Sequence, residues 1–287
     1  MNRRAAPSRF AEQVRRKSSD RRPFNARMIF MTAPSTARFT GKVALITGGG
    51  TNIGRTTALS FAREGALVVV AGRTAESLAE TVGAIEAEGG KADAITADVT
   101  DSTEVARLVA TVVERHGGLH IAFNNAGTVG KPGLLAELEE DVWDRVFAVN
   151  TRGVWLAMKY EIEHMRQHGG GVIVNAASNI GFHGRRPGLG AYAASKAAVS
   201  VLTRNAAREY IGEGVRINAV SAGGTDTPMS YRSGETTEQR DARVAAAVPL
   251  GRVATTQEIA DGVLWLASDQ SGYVVGHDLV IDGGATA

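Results

Sequence analysis

A chain of 287 residues, 44% hydrophobic and with 34 glycines, can hold one large α/β domain or two small ones, with many tight turns. It has no cysteine, which excludes disulfides, thiol catalysis and thiolate metal sites and favours a cytoplasmic setting. The net charge of +2 hides two unlike regions: residues 1–40 carry ten Lys or Arg against Glu12 and Asp20, so the front is +8 and the rest −6.

That Arg-rich front end, with Pro7, Pro23 and Pro34 and no sustained apolar periodicity, has the composition of a disordered extension. A nucleic-acid arm, an organelle transit peptide, and a true start at Met28 or Met31 are its possible uses. No aromatic interleaving supports the first, so no nucleic-acid partner is expected, and a dispensable extension is the preferred account. No apolar run approaches the ~20 residues needed to cross a membrane.

From Lys42 onward, short apolar runs alternate with amphipathic stretches. Val43–Thr47, Leu67–Ala71, Ala92–Ala97, Leu119–Phe123, Val172–Ala176, Val215–Val220 and Asp278–Ile281 read as strands, mostly continuous runs of Val, Ile and Ala. Helical patterns fall at 53–64, 75–88, 102–116, 139–167, 191–212 and 256–268. This alternation predicts right-handed crossovers and one α/β domain over 41–287: a doubly wound, Rossmann-type parallel sheet of about seven strands with helices on both faces. A polar insertion, Ser230–Arg240, followed by a helical patch at Asp241–Val248, has the character of a substrate lid.

The first strand–helix turn reads Thr47-Gly48-Gly49-Gly50-Thr51-Asn52-Ile53-Gly54. Glycines here let the backbone approach a pyrophosphate, and the helix N-terminus offers N–H groups to the anion. The second strand ends Val70-Ala71-Gly72-Arg73, without the carboxylate that would hold the adenosine ribose of NAD. Arg73 can instead pair with a 2′-phosphate, so NADP(H) is the expected cofactor, with NAD(H) possible. Asp98, after the third strand, either bonds the adenine amino group or caps the next helix, a role that Asp101 also suits. Further on, Tyr192 and Lys196 stand four apart on a helix and share one face. An ammonium beside a phenol favours the phenolate, so the pair predicts a tyrosine of lowered pKa able to exchange a proton with an alcohol or carbonyl. His, Asp and Glu at metal-ligand spacing are lacking, and no metal is expected.

These motifs together resemble the short-chain dehydrogenase/reductase family over roughly residues 40–284. The resemblance rests on the glycine loop, Asn124-Asn125-Ala126-Gly127, Asn150, Ser178 in Ala177-Ser178-Asn179-Ile180-Gly181, Tyr192 with Lys196, and Asp282-Gly283-Gly284. It implies Tyr192 as general acid/base, Lys196 lowering its pKa and holding the nicotinamide ribose, Ser178 holding the substrate oxygen, and Asn150 positioning a relay water. Cofactor contacts are implied for Gly48, Thr51, Asn52, Ile53 and Gly54 in the loop and for Arg73, Asp98 and Val99 beyond the next strands. Asn125, Ala126, Gly127, Tyr192 and Lys196, with Gly223, Thr225 and Thr227, complete that set. The chain departs from the family pattern at Asn52, tolerable if its φ is positive, at Ala222, where proline is common, and at Val275.

The late segment resembles the bacterial branch of 3-oxoacyl-acyl-carrier-protein reductases, glucose dehydrogenases and cyclic-alcohol dehydrogenases. Interconversion of a small-molecule secondary alcohol and ketone is therefore expected. His183, Arg185 and Arg186 make the loop between Ser178 and Tyr192 basic, which suits an anionic or strongly polar substrate or simply a solvated loop. The resemblance also implies a homotetramer, or a homodimer, joined through the helices at 139–167 and 191–212 with Trp155 and Met158 in the seam or the core. The competing reading is an idle dinucleotide sensor or a nucleic-acid-binding protein using the basic arm.

Overall fold

The structure, a computed structural model, describes residues 37–287. Seven strands run parallel in one sheet: β1 Val43–Thr47, β2 Leu67–Gly72, β3 Lys91–Thr96, β4 Ile121–Asn124, β5 Gly171–Ala176, β6 Val215–Ala222 and β7 Asp278–Ile281. Their order is β3-β2-β1-β4-β5-β6-β7, so the connections reverse direction between β1 and β4. In sheets of this kind the crevice at the carboxyl end of that switch point is where ligands bind.

Strand side chains alternate between two cores, as a period of two demands. Val43 and Leu45 of β1 face one layer and Ala44 and Ile46 the other; Val69 and Val70 of β2 divide in the same way. The first layer is covered by α3 Ser102–His116, α5 Gly153–Gln167 and α6 Gly190–Tyr210, which contribute Leu108, Met158 and Val199 to it. The second is covered by α1 Asn52–Arg63, α2 Ala75–Ala87 and α8 Thr256–Ala267, through Phe61, Ile85 and Val263. Because both faces are buried, the strands read as unbroken apolar runs.

Three boundaries differ from expectation. The helical pattern over 139–167 is two helices, α4 Glu140–Phe147 and α5, joined by a π-helical turn at Ala148–Arg152. Apolar periodicity runs through that turn unbroken, so the sequence does not announce it. The patch expected at Asp241–Val248 belongs to α7, Thr237–Ala247, which starts earlier because Thr236 and Gln239 close a reciprocal capping box. Packing also starts ahead of residue 41: Phe39 is buried edge-on against Phe61, and Arg38 pairs with Glu64. The rest of the basic front end lies outside the described residues.

Candidate active site

The glycine loop closes tightly because Gly48 and Gly54 admit no side chain. Gly48 has φ 64°, and a Cβ on Gly54 would lie 2.1 Å from the Gly48 carbonyl oxygen. A Cβ on Gly48 would press within 2.9 Å of the Asn125 amide, which donates to the carbonyls of Thr47 and Gly48 at 3.2 Å each. The Thr47 hydroxyl accepts from the N–H groups of Asn125 and Ala126 at 3.1 and 3.2 Å. Asn125 and Ala126 thus bind the end of β4 to the loop. Asn52 opens α1 at φ 50°, the one positive non-glycine value among the described residues, as its place in the loop requires.

The start of α1 fits an anionic cofactor. Thr51 makes no side-chain cap and the first turn holds no acid, whereas Asp101, Thr236 and Thr255 cap the starts of α3, α7 and α8. The free N–H groups of α1 beside Gly48–Gly50, with Ile53 following, form the cradle a pyrophosphate needs. Arg73 is exposed after β2 and makes no ion pair within 4 Å among the described residues. Asp98 bonds neither helix start nor Arg73 directly; its Oδ1 accepts from the N–H and hydroxyl of Thr100 at 2.9 and 2.8 Å. Burial raises its pKa, but those two bonds and the charges of Arg73 and Arg145 outweigh it, so the carboxyl stays below its ordinary value. Asp101 takes the cap of α3, accepting from Thr103 and Glu104. Val99 sits against Gly153, where any Cβ would come within 2.9 Å of it.

On the other side of the switch point, α6 carries Tyr192 and Lys196 over the end of β5. Lys196 is 4% exposed and its Nζ donates to the Ala176 carbonyl at 2.6 Å; burial pushes its pKa down to about 8. Tyr192 lies near the buried Ser178 hydroxyl, which accepts from the Ile180 N–H at 3.1 Å. Burial raises the Tyr192 pKa, and the nearby Ser178 hydroxyl works against that rise. The expected lowering of the Tyr192 pKa is therefore not what this arrangement produces, because burial sets the direction of the shift.

Asn150 lies at the centre of the π turn, fully buried. Its amide donates to the Thr128 carbonyl at 2.8 Å and to Ser195 Oγ at 3.0 Å, and its Oδ1 accepts from the Thr128 N–H at 2.8 Å. Both amide protons are consumed, so a relay water would be held by the free lone pair of Oδ1 or by the main chain of the turn. A Cβ on Gly127 would lie 3.3 Å from Asn150 Oδ1 and 3.4 Å from Lys196 Nζ, so this glycine is where the two side chains meet. Ser195 and Thr128 were not singled out by sequence, although Ser195 stands inside the Tyr192–Lys196 stretch and donates to the Tyr192 carbonyl at 2.8 Å.

Gly223 packs where a Cβ would come within 2.6 Å of Asp282, and the hydroxyls of Thr225 and Thr227 turn back onto the carbonyls of Gly223 and Thr225. Two expected wall residues face elsewhere. His183 contacts the buried Asp278 carboxylate at 3.0 Å, and Arg185 donates to the Gly181 and Gly184 carbonyls of its own loop. Met158 is a core residue, its sulfur 3.2 Å from the Asn175 amide, whereas Trp155 is 46% exposed. Among the described residues no three metal-binding side chains cluster, and no helix is long and apolar enough to cross a membrane.

Residues 47–286 match a family model described as Enoyl-(Acyl carrier protein) reductase. Similar proteins include the 3-oxoacyl-(acyl-carrier-protein) reductase FabG of Thermotoga maritima, 38% identical over 247 residues, covering 86% of this chain and 98% of the relative. The cyclohexanol dehydrogenase of an Acinetobacter species is 39% identical over 250 residues, 87% of this chain and 97% of that protein. Among solved structures, levodione reductase superposes with a TM-score of 0.83 at 35% identity, over 87% of this chain and 99% of that one.

Proposed function

The chain belongs to the short-chain dehydrogenase/reductase family of NAD(P)-dependent oxidoreductases, and we propose that it interconverts a secondary alcohol and a ketone with NADP(H) as the preferred cofactor. The observation that carries this reading is the grouping of Tyr192, the buried Ser178 hydroxyl and the buried Lys196 ammonium at the end of β5. Two neighbouring hydroxyls suit the oxygen of a C–O bond, which changes protonation in the reaction.

When bound, the nicotinamide cofactor supplies the hydride donor or acceptor. Ser178 holds the substrate oxygen and stabilises negative charge that develops on it. Tyr192 gives that oxygen a proton in the reductive direction and takes it in the oxidative one. Raised by burial, the phenol stays protonated in the resting site and is a competent acid. Lys196 replaces the proton lost from Tyr192, and with a pKa near 8 it is itself able to release one close to neutral pH. Asn150 keeps Thr128 and Ser195 in register and so fixes the turn beneath Lys196. The loop of Gly48–Gly54 with Thr51 and Ile53, together with Gly127, Gly223, Thr225 and Thr227, would hold the cofactor.

Similarity to cyclohexanol dehydrogenase and levodione reductase supports a cyclic secondary alcohol or ketone as substrate. NADP(H) preference rests on Arg73, exposed, without an ion pair among the described residues, and followed by no carboxylate at the end of β2. Titrations of protein fluorescence are expected to show NADPH binding about tenfold tighter than NADH, and Arg73→Ala to remove most of that gap, as loss of a charged hydrogen bond predicts. Equal affinities in the unsubstituted protein would refute the preference. A panel of cyclic ketones and alcohols followed at the nicotinamide absorbance tests the reaction itself. Exposed Trp155 on α5 is consistent with a homo-oligomer paired through α5 and α6.

A further inference from the structure

The insertion that follows β6 carries a buried guanidinium for which the proposed reaction has no use. Arg240 of α7 is 3% exposed, and a charge taken out of water is tolerated only when partners surround it. Its Nη1 donates to Asp226 Oδ1 at 2.8 Å and to Ser230 Oγ at 2.9 Å, and its Nε lies 2.6 Å from Asp241 Oδ1. The guanidinium also stacks on the Tyr231 ring, 4.4 Å from its centroid. One turn further on, Arg243 grips both oxygens of Glu235 at 2.6 Å and donates to the Ser230 carbonyl at 2.8 Å.

The Arg240 bonds reach back to the end of β6. Asp226 stands between Thr225 and Thr227, and Ser230 Oγ, which Arg240 holds, donates in turn to the Thr227 carbonyl at 2.7 Å. Main chain fixes the other side of this segment: the Asp226 N–H donates to the Ala254 carbonyl and the Ala254 N–H to the Gly224 carbonyl, at 2.9 Å each. Val244 of α7 packs toward Gly224. Beyond it, an open cavity of about 480 Å³, lined by Asp226, Arg240 and Ala254, separates α7 from residues 251–255. Close packing does not fill that space, so polar bonds from Arg240 join α7 to the segment there. β6 lies beside β5, whose end carries Ser178 and holds Lys196, and two strands separate β6 from β1. Thr225 and Thr227 thus fall in the nicotinamide half of the groove, away from Gly48–Gly54 and Arg73.

We propose that Arg240 is a positioning residue for the cofactor: through Asp226 and Ser230 it holds Thr225 and Thr227 in place at the nicotinamide half of the groove. The inference rests on the cofactor reading above and extends it to a side chain that acts only through its neighbours. A rigid guanidinium meets Asp226, Ser230 and Asp241 from fixed directions while lying flat on Tyr231. The flexible ammonium of a lysine does not reproduce that arrangement.

Two probes titrated calorimetrically into the full chain test this without requiring turnover: NADPH, which spans the groove, and 2′,5′-ADP, which carries only the adenosine end and its phosphates. Arg240→Met, uncharged and of similar reach, and Asp226→Ala, a change at an exposed side chain, are each expected to weaken NADPH about tenfold while 2′,5′-ADP stays within about twofold. Arg240→Lys should recover part of the loss. Unchanged NADPH affinity in Asp226→Ala overturns the proposal, and so does equal weakening of both probes in that variant, whose exposed position spares the fold. Equal affinity of the unsubstituted chain for the two probes also overturns it, since the nicotinamide half then adds nothing to be positioned, although the cofactor reading stands. Binding of neither probe sinks the cofactor reading, and the proposal with it.

Discussion

Asn52 holds a φ of 50° at the entrance of α1, where a side chain is normally disfavoured by contact with the following carbonyl. Asparagine tolerates this region better than other residues with a Cβ, and glycine better still. Asn52→Ala is expected to lower stability by about 1–2 kcal/mol and Asn52→Gly to leave it unchanged or slightly raised, read from urea midpoints. Equal midpoints for the two variants would mean that the loop relaxes out of the left-handed region. Lys196 shows the other way a residue is constrained. Its position on α6 was legible from the four-residue spacing to Tyr192, but its partner was not, because a main-chain carbonyl at the end of β5 leaves no mark in sequence. The direction of the Tyr192 shift escaped the sequence for the same reason: burial is a property of the packed site, and here it outweighs what one neighbouring charge suggests.

At the scale of elements, α5 carries a carboxyl into the interior. Glu161 is fully buried beside Asn124, whose amide donates to it at 2.9 Å and to Asn175 at 3.0 Å, and Asn175 reaches Thr203 of α6 at 2.9 Å. Glu161 Oε1 and Asn124 Oδ1 have no partner among the described residues, so a neutral carboxyl is the less costly form. Burial accordingly raises Glu161 from 4.5 to about 7, against the Asn124 bond. The folded protein then keeps a proton that the unfolded chain has released between those values. This contribution to stability is complete at acidic pH and is lost as pH rises through the window. Glu161→Gln, which keeps the shape and the amide bond, should raise the melting temperature at pH 8 more than at pH 5. A difference constant across pH would show that the carboxyl is not held neutral. Sequence placed Glu161 on a helix but gave no sign of its burial, since a lone acid in Lys159-Tyr160-Glu161 reads as a surface residue. The π turn at Asn150 was hidden similarly, as the apolar rhythm of 139–167 continues through it and only the inward bonds of Asn150 show the extra residue.

Across the whole molecule, what could be read in advance was what depends on local order. The alternation of apolar runs with amphipathic stretches specified seven parallel strands and the layers on each face, and the glycine loop marked β1 as the first strand. The site could be located because its parts follow strand ends: Gly48–Gly54 after β1, Asn125–Gly127 after β4, Ser178 after β5. Contacts between distant segments could not. His183 meets Asp278 ninety-five positions away, which removes it from the substrate wall. On the proposed reading, this sheet brings a cofactor cradle on one side of the switch point to a proton-handling Tyr192 on the other. Tyr192→Phe removes one oxygen and leaves Gly48–Gly54 untouched, so NADPH affinity should stay within about twofold while turnover of a responsive cyclic ketone falls by about 10²–10⁴. Turnover retained at near the unsubstituted rate, with NADPH still bound, would contradict it.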